Sequence, residues 1–286
     1  MGAKFGPAGN SQSFYAEGHK STHEAPRWLS NLSLDAYEYS AGNGITGSLD
    51  TFRKIGEEAR LHNILLSFHT PYYISLSGVE EEKRLKSVDY IKRSIEASEA
   101  MGADIIVIHA GSASKISREE AVRLAKLTLD KALSDIPDTK VRFGIETMGK
   151  INQLGTLYEV LDICTIDKRL CPVIDFGHLN ARSLGEDIKG RDDYLRIFES
   201  ISSMLGAEYL DRLHCHFSRI EWTKSGEKRH LTFDDSVYGP DFEPLIDVIA
   251  ENGLSPRIIC ESAGTMAEDA LTMKKYYLNK KGEIAI

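Results

Sequence analysis

The stretch ADIIVIHAGSASKISREEAVRLAKLTLDKAL, Ala103 to Leu133, holds the fold in miniature. It opens with a short apolar, β-branched run of the length and character of a buried strand, ending on His109. Small residues follow, then a segment in which Val122, Ala125, Leu129 and Leu133 fall on one helical face. Strand, loop and helix thus succeed one another within a single unit. The unit recurs along the chain. Apolar runs at Asn63 to His69, Val141 to Glu146, Leu170 to Asp175, Asp211 to His216 and Pro256 to Glu261 also end in His, Asp or Glu. Two weaker runs, Ala3 to Pro7 and Leu34 to Tyr39, precede them, and further helical stripes lie at Leu85, Val88, Ile91, Ile95 and at Leu245, Ile246, Val248, Ile249.

Strands alternating with helices require parallel pairing, and eight such units in 286 residues match the size of a (β/α)8 TIM barrel of the α/β class. A doubly wound open sheet is the alternative. It would gather polar strand ends near its switch point, whereas here nearly every strand ends in one. The chain carries no low-complexity stretch, Pro- or Ser-rich linker or long run of like charge, so residues 1–286 read as a single domain.

With 42% hydrophobic and 27% charged residues, 23 Gly and 8 Pro, the composition is that of a globular protein rather than a collagen or a disordered tail. A formal charge of −8 argues against a generally basic nucleic-acid-coating protein but leaves room for a basic patch on an acidic body. Cys164, Cys171, Cys215 and Cys260 form no C-x-x-C pair, which points to reduced, buried thiols. The opening MGAKFGPAGNS lacks the apolar core of a signal peptide, and Gly6 stands where a myristoylation motif needs Ser or Thr. No apolar run approaches the roughly 18 residues of a membrane span. Together these features predict a cytoplasmic protein.

In parallel α/β folds the functional face lies at the carboxyl ends of the strands, so scattered terminal residues converge there. The set is His69, His109, Glu146, Asp175, His178, His214, His216, His230 and Glu261. Imidazole mixed with carboxylate suits zinc, manganese or iron. Nine candidates exceed the three protein ligands of a single catalytic zinc, and so predict two or three ions with a bridging carboxylate. The D-F-G-H spacing lets Asp175 end a strand while His178 reaches in from the next turn; the period of two puts His214 and His216 on one face, with Cys215 on the other.

The ordered segments FHTPYYISL (Phe68 to Leu76), IHAGS (Ile108 to Ser112), GIETMG (Gly144 to Gly149), IDFGH (Ile174 to His178), YLDRLH (Tyr209 to His214), KRH (Lys228 to His230) and ICESAG (Ile259 to Gly264) carry a resemblance over nearly the whole chain. Taken together they resemble the endonuclease IV family of apurinic/apyrimidinic endonucleases, in the xylose isomerase-like barrel superfamily. The resemblance implies zinc-dependent hydrolysis of damaged double-stranded DNA on the 5′ side of an abasic sugar, in base excision repair. It implies that His69 and His109 hold one ion, that Glu146 bridges it to a second completed by Asp175, His214 and Glu261, and that His178 and His230 hold a third. Zn2+ is the implied metal, with Mn2+ or Fe2+ also suited to the donors. Glu146 and Glu261 are the implied catalytic carboxylates, with Glu261 placed to orient or deprotonate the attacking water.

Three departures stand against the family pattern. Its third-site aspartate corresponds to Lys228, whose ammonium offers no ligand; Glu227 and His216 are the candidate substitutes. The loop EYSAGNGITGS, Glu38 to Ser48, contains no Lys or Arg where bacterial members carry a basic probing loop, and the first strand ends in GPAGNS without the usual histidine. For DNA contact, Tyr72 resembles the residue that enters the duplex, and Tyr73 offers a second flat surface or packs in the core. The segment Arg219 to His230 supplies Lys224, Lys228 and Arg229 for phosphates. A monomer is the default. Two rivals remain open: a metal-dependent sugar (phosphate) isomerase or epimerase on the same barrel, and a non-catalytic metal-containing barrel that binds DNA.

Overall fold

A computed structural model describes residues 2–282. Eight parallel strands form the barrel: β1 (Lys4–Pro7), β2 (Ala36–Ser40), β3 (Leu65–His69), β4 (Ile105–His109), β5 (Arg142–Glu146), β6 (Leu170–Asp175), β7 (His214–Phe217) and, after a hairpin of β8 (Ile220–Thr223) and β9 (Gly226–His230), β10 (Arg257–Cys260). Their order is β1-β10-β7-β6-β5-β4-β3-β2. The ring closes where Ala8 bridges Glu38 in parallel and the amide of Asp35 donates to the carbonyl of Phe5 at 2.8 Å. Gly6 makes that closure: a Cβ there would lie 1.8 Å from the Ala36 carbonyl oxygen, so a side chain would force β1 away from β2.

Helices at Leu49–Leu61, Glu81–Met101, Arg118–Asp135, Leu157–Cys164, Arg191–Leu205, Glu243–Glu251 and Met266–Lys280 cover the outside. Several begin on side-chain caps, with Ser48, Ser117 and Thr156 each accepting from the amide three residues on. Val88, Ile91 and Ile95, and Ala125, Leu129 and Leu133, bury against the sheet as their spacing predicts; Leu85 is exposed instead, at the outer edge of its stripe. None of the described helices is long and apolar enough to cross a membrane. All four cysteines are buried and unpaired. Burial pushes the Cys171 thiol up to about 11 and that of Cys260 to about 12.

Inside the barrel the filling is polar at both ends. Arg257 and Arg142 flank Asp104 at 2.8 and 3.0 Å at the amino-terminal end, and Ile105, Val107, Cys171 and Val173 pack above them. The carboxyl-terminal end holds the His, Asp and Glu set. Most of the segment Arg219 to His230, to which the strand pattern assigns no element, forms the antiparallel hairpin of β8 and β9. Its turn docks on the segment after β5, where Ile151 and Glu227 amides donate to the carbonyls of Ser225 and Gly149.

Candidate metal centre

Strand register brings the ends together. His109 lies beside Glu146 across β4 and β5, and Asp175 lies beside His216 across β6 and β7. Asp175 also caps the helix Phe176–Arg182 by accepting the His178 amide at 2.7 Å, which fixes the second residue of the D-F-G-H pair over the first. Four groups of donor atoms result, each within 4.8 Å: His69, His109 and Glu146; Glu146, Asp175, His216 and Glu261; His178, His230 and Glu261; and Glu38, His214 and His216.

Glu146 is the hub. Its Oε2 faces His109 Nε2 at 3.0 Å and His69 Nε2 at 3.4 Å, while Oε1 faces His216 Nδ1 at 2.9 Å. The other ring nitrogens are assigned by what they touch. His69 donates Nδ1–H to the Thr70 carbonyl at 2.8 Å, and His178 donates Nδ1–H to the Thr147 carbonyl at 2.9 Å, so both leave Nε2 directed into the mouth. Such backbone partners are what orient histidine ligands in metal sites.

The residues fit a cation. Bond lengths of about 2.0–2.1 Å at tetrahedral angles put neighbouring donors about 3.4 Å apart. The pairs His69–Glu146, His216–Glu261 and His178–Glu227 are each separated by 3.4 Å. Glu146 Oε2 and Asp175 Oδ2 are buried without a hydrogen-bond partner, an arrangement that costs free energy unless a cation compensates it.

Electrostatics follow from burial and crowding. Burial alone would raise the Glu146 carboxyl, but the His216 charge and the imidazoles of His109, His216 and His69 hold it well below the usual range. Burial, joined by the charges of Glu261 and Glu146, pushes Asp175 up to about 6 despite His178. His178 rises to about 9: burial opposes its charge, and Asp175, Glu227, Glu146 and Glu261 overcome that opposition. His109, dominated by burial, is lowered.

One expectation needs correction. His214 does not join Asp175 and Glu261. It lies one pleat deeper on the same face, where its Nε2 meets Glu38 Oε2 at 2.9 Å, and His216 takes the place at the mouth. At the third group it is Glu227, one of the two candidate substitutes for Lys228, that faces the histidines. In the hairpin Trp222 pairs with Glu227 and Glu221 with Arg229, so Lys228 is the extra residue of a β-bulge. The bulge sends Lys228 and Arg229 outward, each 2.6 Å from Glu221, and turns Glu227 inward. Glu227 Oε2 is 3.4 Å from His178 Nε2, and its Oε1 is 4.0 Å from His230 Nε2. Gly149 leaves room for it, since a Cβ there would meet the Glu227 side chain at 2.6 Å.

Tyr72 roofs the first group, its ring 5.3 Å from His109 at an interplanar angle of 23° and edge-on to His69, yet 55% exposed. Tyr73 is exposed and packs edge-on against Tyr90 at 4.6 Å. The sequence reading missed Glu38, wholly buried between His214, His216 and Ser67. Its signal was available: an acidic residue one position short of the end of an apolar run, in the pattern of the other strands.

The model of the family described as xylose isomerase-like TIM barrel matches residues 26–276. The chain belongs to that family. Among its relatives, an uncharacterized protein of Methanocaldococcus jannaschii is 31% identical over 250 residues, covering 87% of this chain and 89% of that one. A protein named probable endonuclease 4 from Aster yellows witches'-broom phytoplasma is 29% identical over 201 residues, covering 68% of this chain and 66% of its own length. Solved structures share the architecture. A D-tagatose 3-epimerase-like protein superposes with a TM-score of 0.73 at 19% identity, covering 98% of both chains. Endonuclease IV from Thermus thermophilus superposes at 0.67 with 18% identity, covering 97% of this chain and 98% of that one. At these identities the structural likeness speaks for the fold alone.

Proposed function

We propose that this xylose isomerase-like barrel is a metal-dependent phosphodiesterase of the endonuclease 4 type, cleaving double-stranded DNA on the 5′ side of abasic sugars in base excision repair. The observation that carries the proposal is the shared carboxylate of Glu146, faced by His69 and His109 on one oxygen and by His216 on the other. A bridging carboxylate between an imidazole-rich and a carboxylate-rich group is what two neighbouring cations require. His69, His109 and Glu146 would hold one zinc; Glu146, Asp175, His216 and Glu261 a second; His178, His230 and Glu227 a third. Bound cations supply the Lewis acidity that neutralises phosphate oxygens and activates water.

The side chains then have separate tasks. Glu261, 15% exposed at the mouth, orients the attacking water and accepts its proton. Tyr72 offers an exposed flat ring beside the first group, on which an unstacked nucleotide can lie, with Tyr73 next to it. Arg229 and Lys228, on the outer face of the hairpin, would exchange Glu221 for DNA phosphates. We place the protein in the cytoplasm as a monomer.

The test is incision of a duplex oligonucleotide carrying one abasic-site analogue, by zinc-reconstituted protein beside an EDTA-stripped sample. Zinc-dependent cleavage immediately 5′ to the lesion supports the proposal; no incision by protein of verified zinc content refutes it. A second reading, a sugar epimerase, is favoured by the group Glu146, Asp175, His216 and Glu261, a complete set for one divalent ion with two glutamates available as an acid/base pair. One ion per chain and turnover of a ketose without incision would decide for it.

A further inference from the structure

Glu38 lies wholly buried beneath the metal-binding mouth. It reaches from β2 across the barrel to β7, the two strands being far apart in the ring order. Its Oε2 accepts from Ser67 Oγ at 2.8 Å and meets His214 Nε2 at 2.9 Å, and its Oε1 faces His216 Nε2 at 3.0 Å, an ion-pair contact between two buried atoms neither of which has a hydrogen-bond partner. The opposite edge of the His216 ring has carboxylates of its own: Nδ1 is 2.9 Å from Glu146 Oε1 and 3.4 Å from Glu261 Oε1. His216 is therefore held between carboxylates on both sides.

A neutral imidazole has one N–H and one lone pair. With acceptors at both ring edges, the N–H goes to one side and the lone pair on the other side faces oxygen, which is favourable when a cation sits there. Glu38 occupies the closed, deep edge and the ion-binding carboxylates occupy the open one. We infer that Glu38 is a positioning residue whose carboxylate keeps the His216 proton on Nε2 and so directs the Nδ1 lone pair at the ion shared with Glu146, Asp175 and Glu261. Ser67 and His214 act one step further out by holding Oε2 in place. The arrangement is the carboxylate–histidine–metal relay in which an outer carboxylate fixes tautomer and ring orientation. It also accounts for a buried acid that touches neither the mouth nor solvent, since a buried carboxylate without partners would be strongly destabilising. This inference rests on the proposal that the second group holds an ion.

The test compares wild type with Glu38→Ala, Glu38→Gln and His214→Gln, each stripped and reloaded with Zn2+ or Co2+. Ion content, affinity by chelator competition and the visible spectrum of the cobalt form are read, with circular dichroism of the stripped proteins as a check on folding. Loss of an outer-shell partner costs about 10- to 100-fold in metal affinity, and that loss is expected for Glu38→Ala together with shifted cobalt bands. Glu38→Gln keeps a neutral oxygen facing Nε2 and is expected to restore the cobalt spectrum and most of the affinity; it also serves if the alanine variant fails to fold. His214→Gln, which still offers Glu38 a donor, is expected to leave the ion count unchanged. Wild-type affinity and spectrum in Glu38→Ala would overturn the inference, as would equal loss in Glu38→Ala and Glu38→Gln. Loss of a whole ion in His214→Gln would mean that Glu38, His214 and His216 form a cation site themselves, and would overturn it too. Wild type that binds no ion would instead remove the parent proposal, and this inference with it.

Discussion

The bulge at Lys228 makes a prediction that separates local sequence from tertiary placement. Read by position alone, Lys228→Asp should restore a ligand; read by side-chain direction, it should not, because Lys228 is 52% exposed and points to Glu221. Glu227 is the residue that counts. Its Oε2 stands 3.4 Å from His178 Nε2, the spacing of two donors on one tetrahedral zinc. Removing an outer-shell partner costs about 10- to 100-fold in affinity, so removing the charge of a direct ligand should cost at least about 100-fold, or about 2.7 kcal/mol. Glu227→Gln is therefore expected to lose one ion per chain on dialysis against a zinc buffer, measured by mass spectrometry. The ions held by Glu146 should stay. Lys228→Asp should leave the count unchanged and set two carboxylates against each other beside Glu221. A third ion retained by Glu227→Gln within threefold of wild-type affinity, or an ion gained by Lys228→Asp, would refute the placement of these two residues.

Further outcomes follow from the site. Glu261→Gln should lower incision by about 10²- to 10⁴-fold, the usual range for a proton-transfer group, with an unchanged circular dichroism spectrum; near-native turnover at verified metal content would remove Glu261 from the chemistry. Tyr72→Ala should weaken binding to abasic duplex by about 1–3 kcal/mol, the worth of one stacked base, without changing ion content. Equal affinity of the two proteins for lesion DNA would show that the exposed ring is idle. In the metal-stripped protein His178 is raised from 6.5 to about 9, so protonated His178 favours the folded state fully below pH 6.5, and that contribution is lost as pH rises through about 9. His69 and His216 are also raised and act in the same direction. Urea midpoints should accordingly fall from pH 6.5 to 9, and a flat profile would contradict this electrostatic account.

The barrel was legible because its units are locally encoded. A run such as ADIIVIH needs only β-branched residues and a following amphipathic helix to declare a strand, and the observed β4 begins two residues inside the expected run. The same holds for β5 and β6, whose ends at Glu146 and Asp175 were read to the residue. The hairpin β8–β9 escaped this reading because its strands are short and charged, the Ile220–Trp222 alternation of β8 spans only four residues and β9 has no apolar residue beyond Gly226. Glu38 escaped because its run, AYEY, is weak in aliphatic residues, and its meaning lies in partners 176 positions away.

Residue order alone specifies the strand ends that carry His, Asp and Glu, the alternation that stacks them at one mouth, and the donor chemistry available there. Those are consequences of residue type and of periods of two and 3.6, which every local segment obeys. Which of two histidines on one face reaches the mouth, and which of two neighbouring residues in the hairpin turns inward, was decided by the tertiary structure. A step of two along β7 keeps the face but changes the depth, so only the closed barrel distinguishes His214, paired with Glu38, from His216, paired with Glu146. A single unpaired residue in β9 reverses the alternation after it, so only the register against β8 places Glu227 in the site and Lys228 outside it.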